Sequence, residues 1–286
     1  MPATAVSITG KRRRFHELHR SGCFVLPNPW DPGSARYLQS LGFQALATTS
    51  SGFAWSRGAA DGGLTREAVL EHLRAMVDAT ELPINADFEG GFAHDPAGVV
   101  QSVSLAVDTG VAGLSIEDST GDAAQPLYDL DAATARIRAA RKAIDQAGGD
   151  TVLVGRAECF LVGRPDIDET IARLQAYASA GADCLYAPGV RSSEHIRRIV
   201  QSVAPKPVNL LVGYAAALSV AQIAELGVRR ISVGGALARA AWGGFMRAAR
   251  MLAQQGSFQG FEDAASHETL QSLLRAPAGD APIRGL

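Results

Sequence analysis

The chain has 286 residues, 47% hydrophobic and 20% charged, with 30 glycines and a formal net charge of −2. That balance suits a soluble globular protein with a large core and many turns, and it offers no basic field for nucleic acid. No apolar run is long enough to cross a bilayer, and Lys11-Arg12-Arg13-Arg14 has no apolar signal core behind it, so membrane insertion and export are not expected and a cytoplasmic location is.

In chain order, an amphipathic helix is predicted from Gly10 to Ser21, ended by Gly22. Strands are predicted near residues 23–27, 45–49, 83–87, 112–117, 151–157, 183–187, 207–212 and 229–233. Between them, Asp31-Pro32 starts a helix to Ser40, Thr65 caps one to Ala79 and Asp95-Pro96 starts another. Leu130-Asp131 leads into a long Ala/Arg-rich helix, and Pro165 opens one to Ser179. A long Ala-rich helix runs from Gly235 to Ala253, and a last one near Ser266 to Leu274 precedes a flexible Ala/Pro/Gly tail. Four joints share one form: Leu41-Gly42-Phe43, Thr109-Gly110-Val111, Ala180-Gly181-Ala182 and Leu226-Gly227-Val228 each stop a helix on glycine about two residues before a strand. Repeated βα units of this kind predict a parallel sheet, and eight of them predict an α/β fold, the (β/α)8 barrel. Residues 1–286 are expected to form one domain with a C-terminal helical extension. An open doubly wound sheet is the alternative, and no GxGxxG follows the first strand to support it.

Cys23, Cys159 and Cys184 are odd in number and widely spaced, which fits reduced core thiols better than a disulfide framework; Cys159 is the one that sits beside a candidate site residue.

The chemistry gathers at predicted strand ends. Pro83-Ile84-Asn85-Ala86-Asp87-Phe88-Glu89-Gly90-Gly91 closes an apolar run on two acids, which in a strand point to one side and suit Mg²⁺ as hard oxygen ligands. The plain alternative is a solvated acidic turn. Glu117-Asp118 and Arg156-Ala157-Glu158 end two further runs, and charged residues at several C-terminal strand ends are the catalytic rim of such a barrel. The loop Thr48-Thr49-Ser50-Ser51-Gly52-Phe53 can offer N–H groups to an anion, Asp61 adds an acid, and Arg156 can clamp a carboxylate or instead form a structural ion pair with Glu158 or Glu117. Asn209 and Tyr186 are candidates for the barrel mouth, and none of the six histidines, His94 included, is chosen as a base. A metal beside an arginine and several acids suits a keto acid whose enolate must be stabilised.

Asn85-Ala86-Asp87-Phe88-Glu89-Gly90-Gly91-Phe92, Ser115-Ile116-Glu117-Asp118 and Gly155-Arg156-Ala157-Glu158 together resemble signature segments of the isocitrate lyase and phosphoenolpyruvate mutase superfamily, over roughly Phe24 to Arg250. The resemblance implies a barrel whose eighth helix is exchanged with a partner, giving homodimers or homotetramers. It implies Asp87 as the direct Mg²⁺ ligand, with Glu89, Glu117 and Asp61 acting through metal-bound water. Ser50, Ser51, Gly52 and Arg156 are implied to bind the keto acid; Asn209, read as a barrel-mouth residue, is expected as a further substrate contact, and Asp61, Arg156 and Glu117 as the catalytic set. Three departures stand out. The isocitrate lyase loop Lys-Lys-Cys-Gly-His is absent, since Asp118 to Pro126 holds no cysteine. The mutase lysine and asparagine are missing from Ser119 to Gln125, and Ala187-Pro188 replaces a histidine. The expectation is a divergent Mg²⁺-dependent lyase that cleaves a C–C bond of a small 2-hydroxy or 2-keto dicarboxylate through an enolpyruvate-type intermediate. A phosphonate enzyme and a keto-acid binding protein without turnover are the alternatives.

Overall fold

A computed structural model describes residues 6–275. Eight parallel strands pair in the order β1-β8-β7-β6-β5-β4-β3-β2: β1 (Phe24–Leu26), β2 (Leu46–Ala47), β3 (Ile84–Asp87), β4 (Gly113–Glu117), β5 (Val152–Arg156), β6 (Cys184–Tyr186), β7 (Val208–Leu211) and β8 (Arg230–Ser232). The seam between β1 and β2 is drawn together by one backbone bond, Ala47 N–H to the Pro27 carbonyl at 3.1 Å, and by the Asn28 side chain. Proline has no N–H to return, so Asn28 Nδ2 donates to the Thr48 carbonyl while its Oδ1 accepts from Val233 and Gly234. The result is the expected (β/α)8 barrel, nearly closed.

Helices follow the strands, and most begin on a side-chain cap. They are α1 (Ile8–Arg20), α2 (Pro32–Ser40), α3 (Ser50–Ser56), α4 (Arg66–Asp78), α5 (Pro96–Val107) and α6 (Leu130–Gln146). The rest are α7 (Ile167–Ser179), α8 (Ser193–Val203), α9 (Val220–Glu225), α10 (Ala236–Gln255) and α11 (His267–Arg275). Asp31, Thr65, Asp95, Asp129 and Asp166 each accept from a backbone N–H at the start of their helix, which satisfies donors the helix itself leaves open. One expectation is corrected here. The serine run read as a loop is helix α3, capped by Thr49, because a threonine oxygen that accepts from Gly52 N–H lets the next residues turn helical. The flexible tail expected after Leu274 lies almost wholly outside the described residues.

Two apolar layers hold the barrel. The larger one lies between sheet and helices, with Leu46, Ile84, Leu114, Leu153, Leu185 and Ile231 facing outward from the strands. The smaller fills the interior with Leu26, Ala47, Val152, Val154, Cys184 and Tyr186, and Phe15 of α1 plugs it. Gly113 makes room for the plug: a Cβ there would lie 2.7 Å from the Phe15 ring. Lys11 and Arg12, read from sequence as part of a terminal basic run, are spent on this closure. Lys11 Nζ donates to the Val77 and Thr80 carbonyls, and Arg12 donates to those of Val107 and Val111 and to Asp150.

His72 is buried and His19 half-buried. His19 Nδ1 lies 2.7 Å from the Phe15 carbonyl and Nε2 3.3 Å from Arg230 Nη1, so the neutral tautomer with hydrogen on Nδ1 satisfies both contacts. Burial, reinforced by the Arg230 charge, pushes its pKa down to about 3; burial pushes His72, stacked on Phe53, down to about 4. Both pKa values are depressed on a cationic acid, so the unfolded chain takes up protons that the fold refuses below about pH 6.5. Stability from these groups is therefore full above pH 6.5 and lost as pH falls toward 4, by at most about 1.4 kcal/mol per pH unit for each histidine. In urea titrations between pH 7 and pH 5, His72→Asn is expected to flatten the pH dependence relative to the unsubstituted protein; equal slopes would contradict the assignment.

Candidate active site

The rim of the barrel is built where β3, β4 and β5 run out. Asp87 is the last residue of β3, Glu117 of β4 and Arg156 of β5, and Glu117 and Arg156 are direct neighbours in the ladder. Arg156 Nη1 donates to Asp87 Oδ1 at 2.6 Å and pairs with Glu117 Oε2 at 3.0 Å, while Nε donates to Glu158 Oε1 at 3.0 Å. The guanidinium also stands over Tyr186, with Cζ 5.1 Å from the ring centroid. Arg156 thus makes the ion pairs that spacing allowed, and a third with Asp87.

Asp87 is held from both sides. The Ser50 N–H and hydroxyl each donate to Oδ2 at 2.9 Å, and Asp87 N–H donates to Thr48 Oγ1. Ser50 is thereby committed to Asp87. Gly52 N–H is committed to Thr49, and its missing side chain serves packing, since a Cβ would press on Thr49, Trp30 and Ala238. Ser51 is the serine-run residue that lines the mouth with a hydroxyl shared only with Thr49.

Glu89 departs from the strand geometry expected of it. β3 ends at Asp87, and Glu89 adopts φ 47°, left-handed backbone that a glutamate enters only under constraint. Phe88 between them is fully buried against Phe92, and Arg136 holds the following turn through the carbonyls of Gly90, Ala93 and His94. Glu89 and Glu117 line a side cavity of about 460 Å³ beside the Ser119–Gly121 turn, whereas Asp87 and Arg156 line the central one of about 160 Å³; Asp61 and Arg156 border both. Asn209 is not brought to the mouth. It is buried deeper, accepting from Arg230 and donating to Ser232. Cys159 is buried with its thiol pushed up, and His94 bonds the Tyr128 hydroxyl at 2.6 Å.

Several residues with no local sequence signal complete the support. Asp118, read only as a strand-end acid, is buried and accepts from Tyr177 hydroxyl at 2.5 Å, Arg173 at 3.1 Å and Glu158 N–H at 2.8 Å. It joins β4 to α7 and to the residue that pairs with Arg156. Past it, Ser119 bridges Leu127, so the altered loop folds back as a pinned turn.

The electrostatics of the rim are unbalanced. Asp61, Asp87, Glu89, Glu117 and Glu158 outnumber the guanidinium that pairs with three of them. Burial pushes Glu117 up to about 8 and Glu89 to about 7, with neighbouring acids adding to both; Asp61 and Glu158 are raised as well. Among the described residues no three acid, histidine or cysteine side chains form a ready cage for an ion. The donor set still fits Mg²⁺, which takes hard oxygen ligands, keeps several waters and needs only one or two protein carboxylates.

With this geometry in view, the match to known proteins is decisive: residues 15–253 fit the phosphoenolpyruvate phosphomutase family model. The chain belongs to this family. It is 33% identical over 222 residues to an uncharacterized protein of Mycobacterium tuberculosis (strain ATCC 25618 / H37Rv), covering 77% of this chain and 81% of that one. Among solved structures it is similar to a candidate lyase/mutase from Burkholderia cenocepacia J2315, at 44% identity and TM-score 0.92, covering 96% and 99% of the two chains. It also resembles 2,3-dimethylmalate lyase, described as a PEP mutase/isocitrate lyase superfamily member, at 28% identity and TM-score 0.82 with 96% of each chain covered. Oxaloacetate decarboxylases and 2-methylisocitrate lyases are among the further relatives, so the family is one of lyases and mutases acting on small acids. The superfamily resemblance read from three segments is borne out.

The buried Asp118 cluster gives a test of the scaffold. Asp118→Ala leaves the Tyr177 hydroxyl and the Glu158 N–H without their acceptor, and Arg173 with Glu169 as its remaining carboxylate. At about 1–3 kcal/mol for each unsatisfied group it is expected to cost roughly 2–4 kcal/mol of stability in urea unfolding. A loss below about 1 kcal/mol would show that Asp118 is not the anchor described.

Proposed function

We propose that the chain is a Mg²⁺-dependent lyase that cleaves a C–C bond of a small 2-hydroxy or 2-keto dicarboxylate through an enolpyruvate-type intermediate. The observation that carries this reading is the surplus of carboxylates, most of them half-buried, around Arg156, a site short of positive charge. Asp87 is the direct ligand in this reading, and Glu89, Glu117 and Asp61 orient water around the ion. When bound, the cation supplies the positive charge that steadies an enolate as the bond α to the keto group breaks. Arg156 and Ser51 bind and orient the acid. Ser50 keeps the Asp87 carboxylate in place through two hydrogen bonds and Thr48 fixes its backbone N–H, so the ligand pays little entropy to reach its working position.

The test is a screen of oxaloacetate, isocitrate, methylisocitrate, malate-type acids and phosphonopyruvate, with Mg²⁺ and with chelator, read by keto-acid appearance or loss. One dicarboxylate is expected to turn over only with Mg²⁺. Asp87→Ala is expected to reduce that rate by more than the ~10–100-fold typical of an outer-shell partner, with an unchanged circular dichroism spectrum. Chelator-resistant activity, or full activity in Asp87→Ala, would sink the reading; phosphate release from phosphonopyruvate would move it to phosphonate chemistry.

The proposal extends to assembly through α10. Ala238 is its one buried residue among those described, and Trp242, Phe245 and Met246 stand exposed on it, Phe245 at 62%. A 20-residue helix with that much uncovered apolar surface suits a homodimer or homotetramer in which α10 packs on a second copy. Light scattering is expected to report a dimer or larger, and Phe245→Glu with Met246→Glu to shift it toward monomer. A monomer at tens of micromolar would refute this.

A further inference from the structure

Arg230 opens β8, is 2% exposed, and has no carboxylate partner among the described residues. All that touches its guanidinium is neutral. Nε donates to Asn209 Oδ1 at 2.8 Å, and Nη1 lies 3.3 Å from Asn85 Oδ1 and 3.3 Å from the neutral His19 ring. Cζ lies 5.9 Å from the Phe15 ring centroid. Among the described residues Nη2 has no acceptor. Of the other buried guanidiniums, Arg12 and Arg173 pair with carboxylates, as does the half-buried Arg156, while Arg136 meets three backbone carbonyls and the Tyr128 ring. A desolvated cation without a counter-charge is unfavourable, and the fold retains it where it borders open space.

That space is the central cavity, which Arg230 lines together with Arg156, Ser51, Asp87 and Ser232. Arg156 stands at its rim. Arg230 lies deeper, at the level of Asn85 and next to the Phe15 plug. Its volume of about 160 Å³ holds on the order of five waters, or an acid of a few carbons. We infer that Arg230 is the floor of the substrate site and receives the second carboxylate of a short dicarboxylic acid whose other end is held at the rim. This rests on the keto-acid reading above and adds the subsite that separates dicarboxylates from monocarboxylates. Arg191 and Arg239, at the outer mouth, are exposed to water and already engaged, with Arg191 over Tyr214 and Arg239 on the Gly213 carbonyl, so they compete poorly for this role.

The experiment is calorimetric titration in Mg²⁺ buffer with succinate and with succinamate, which keeps the size and replaces one carboxylate by an amide. The unsubstituted protein is expected to bind succinate at least ~10-fold more tightly, as a charge-assisted pair requires. Arg230→Gln should abolish that ratio with succinamate affinity unchanged, Arg230→Lys should keep part of it, and Arg156→Gln should weaken both ligands. A ratio that survives in Arg230→Gln overturns the inference and leaves the rim reading standing. If the unsubstituted protein binds neither acid, the keto-acid reading itself fails and the inference falls with it. Should Arg230→Gln not fold, crystals of the unsubstituted protein with succinate decide: a carboxylate on the Arg230 guanidinium supports the inference, and succinate elsewhere, or a water or inorganic ion on Arg230, overturns it.

Discussion

The rim depends on one buried guanidinium. Arg156 draws Asp87, Glu117 and Glu158 from three different chain segments onto a single planar cation, and two of those acids carry another constraint. Glu158 ties back to Asp118 through its N–H, and Asp87 to the start of α3 through Ser50. Without Arg156 the acids would face one another across a low-dielectric gap, where like charges repel far more than in water. With it they remain together, and burial first, with the neighbouring acids adding to it, raises Glu89 to about 7 and Glu117 to about 8. A site arranged in this way is held in its geometry by the protein's own bonds.

That arrangement needs a stiff frame, and the frame is polar as well as apolar. Asp118, Arg173 and Tyr177 lock β4 to α7 beneath the rim, and Arg136 pins the turn that forces Glu89 into left-handed backbone. Strain at Glu89 persists because Phe88 is buried on one side of it and the Gly90 carbonyl is held on the other. From below, α1 closes the barrel with Phe15, while Lys11 and Arg12 cap carbonyls at the ends of α4 and α5 and in the turns that follow them.

How much of this was legible follows from how local each signal is. The barrel was readable because helix, glycine, strand recurs, and each joint is a short-range event. Asp87, Glu117 and Arg156 were readable because each ends an apolar run. The α3 start could have been found from Thr49 as a cap, but a Ser-Ser-Gly cluster reads equally well as loop. Asn209 was misplaced in depth, since strands of three or four residues give too few alternations to tell rim from floor. The Asp118 to Tyr177 bond spans 59 residues and the Arg230 to His19 contact 211, so neither leaves any periodic trace.

The barrel therefore has an internal polarity that composition hides. The net charge of −2 is the sum over a whole surface, whereas inside the barrel an acid-rich rim that attracts cations sits above a lone guanidinium that attracts anions. A simple monoanion can answer only one of these fields. On the proposed reading, a short molecule bearing carboxylates at both ends answers Arg230 with one and Arg156 with the other. The distance between those two demands is set by strand register, because Arg156, Tyr186, Asn209 and Arg230 occupy successive ladder positions on β5 to β8. Backbone hydrogen bonding thus sets the length of acid the cavity can span, and side-chain substitutions at the mouth can alter which acid enters without altering that length.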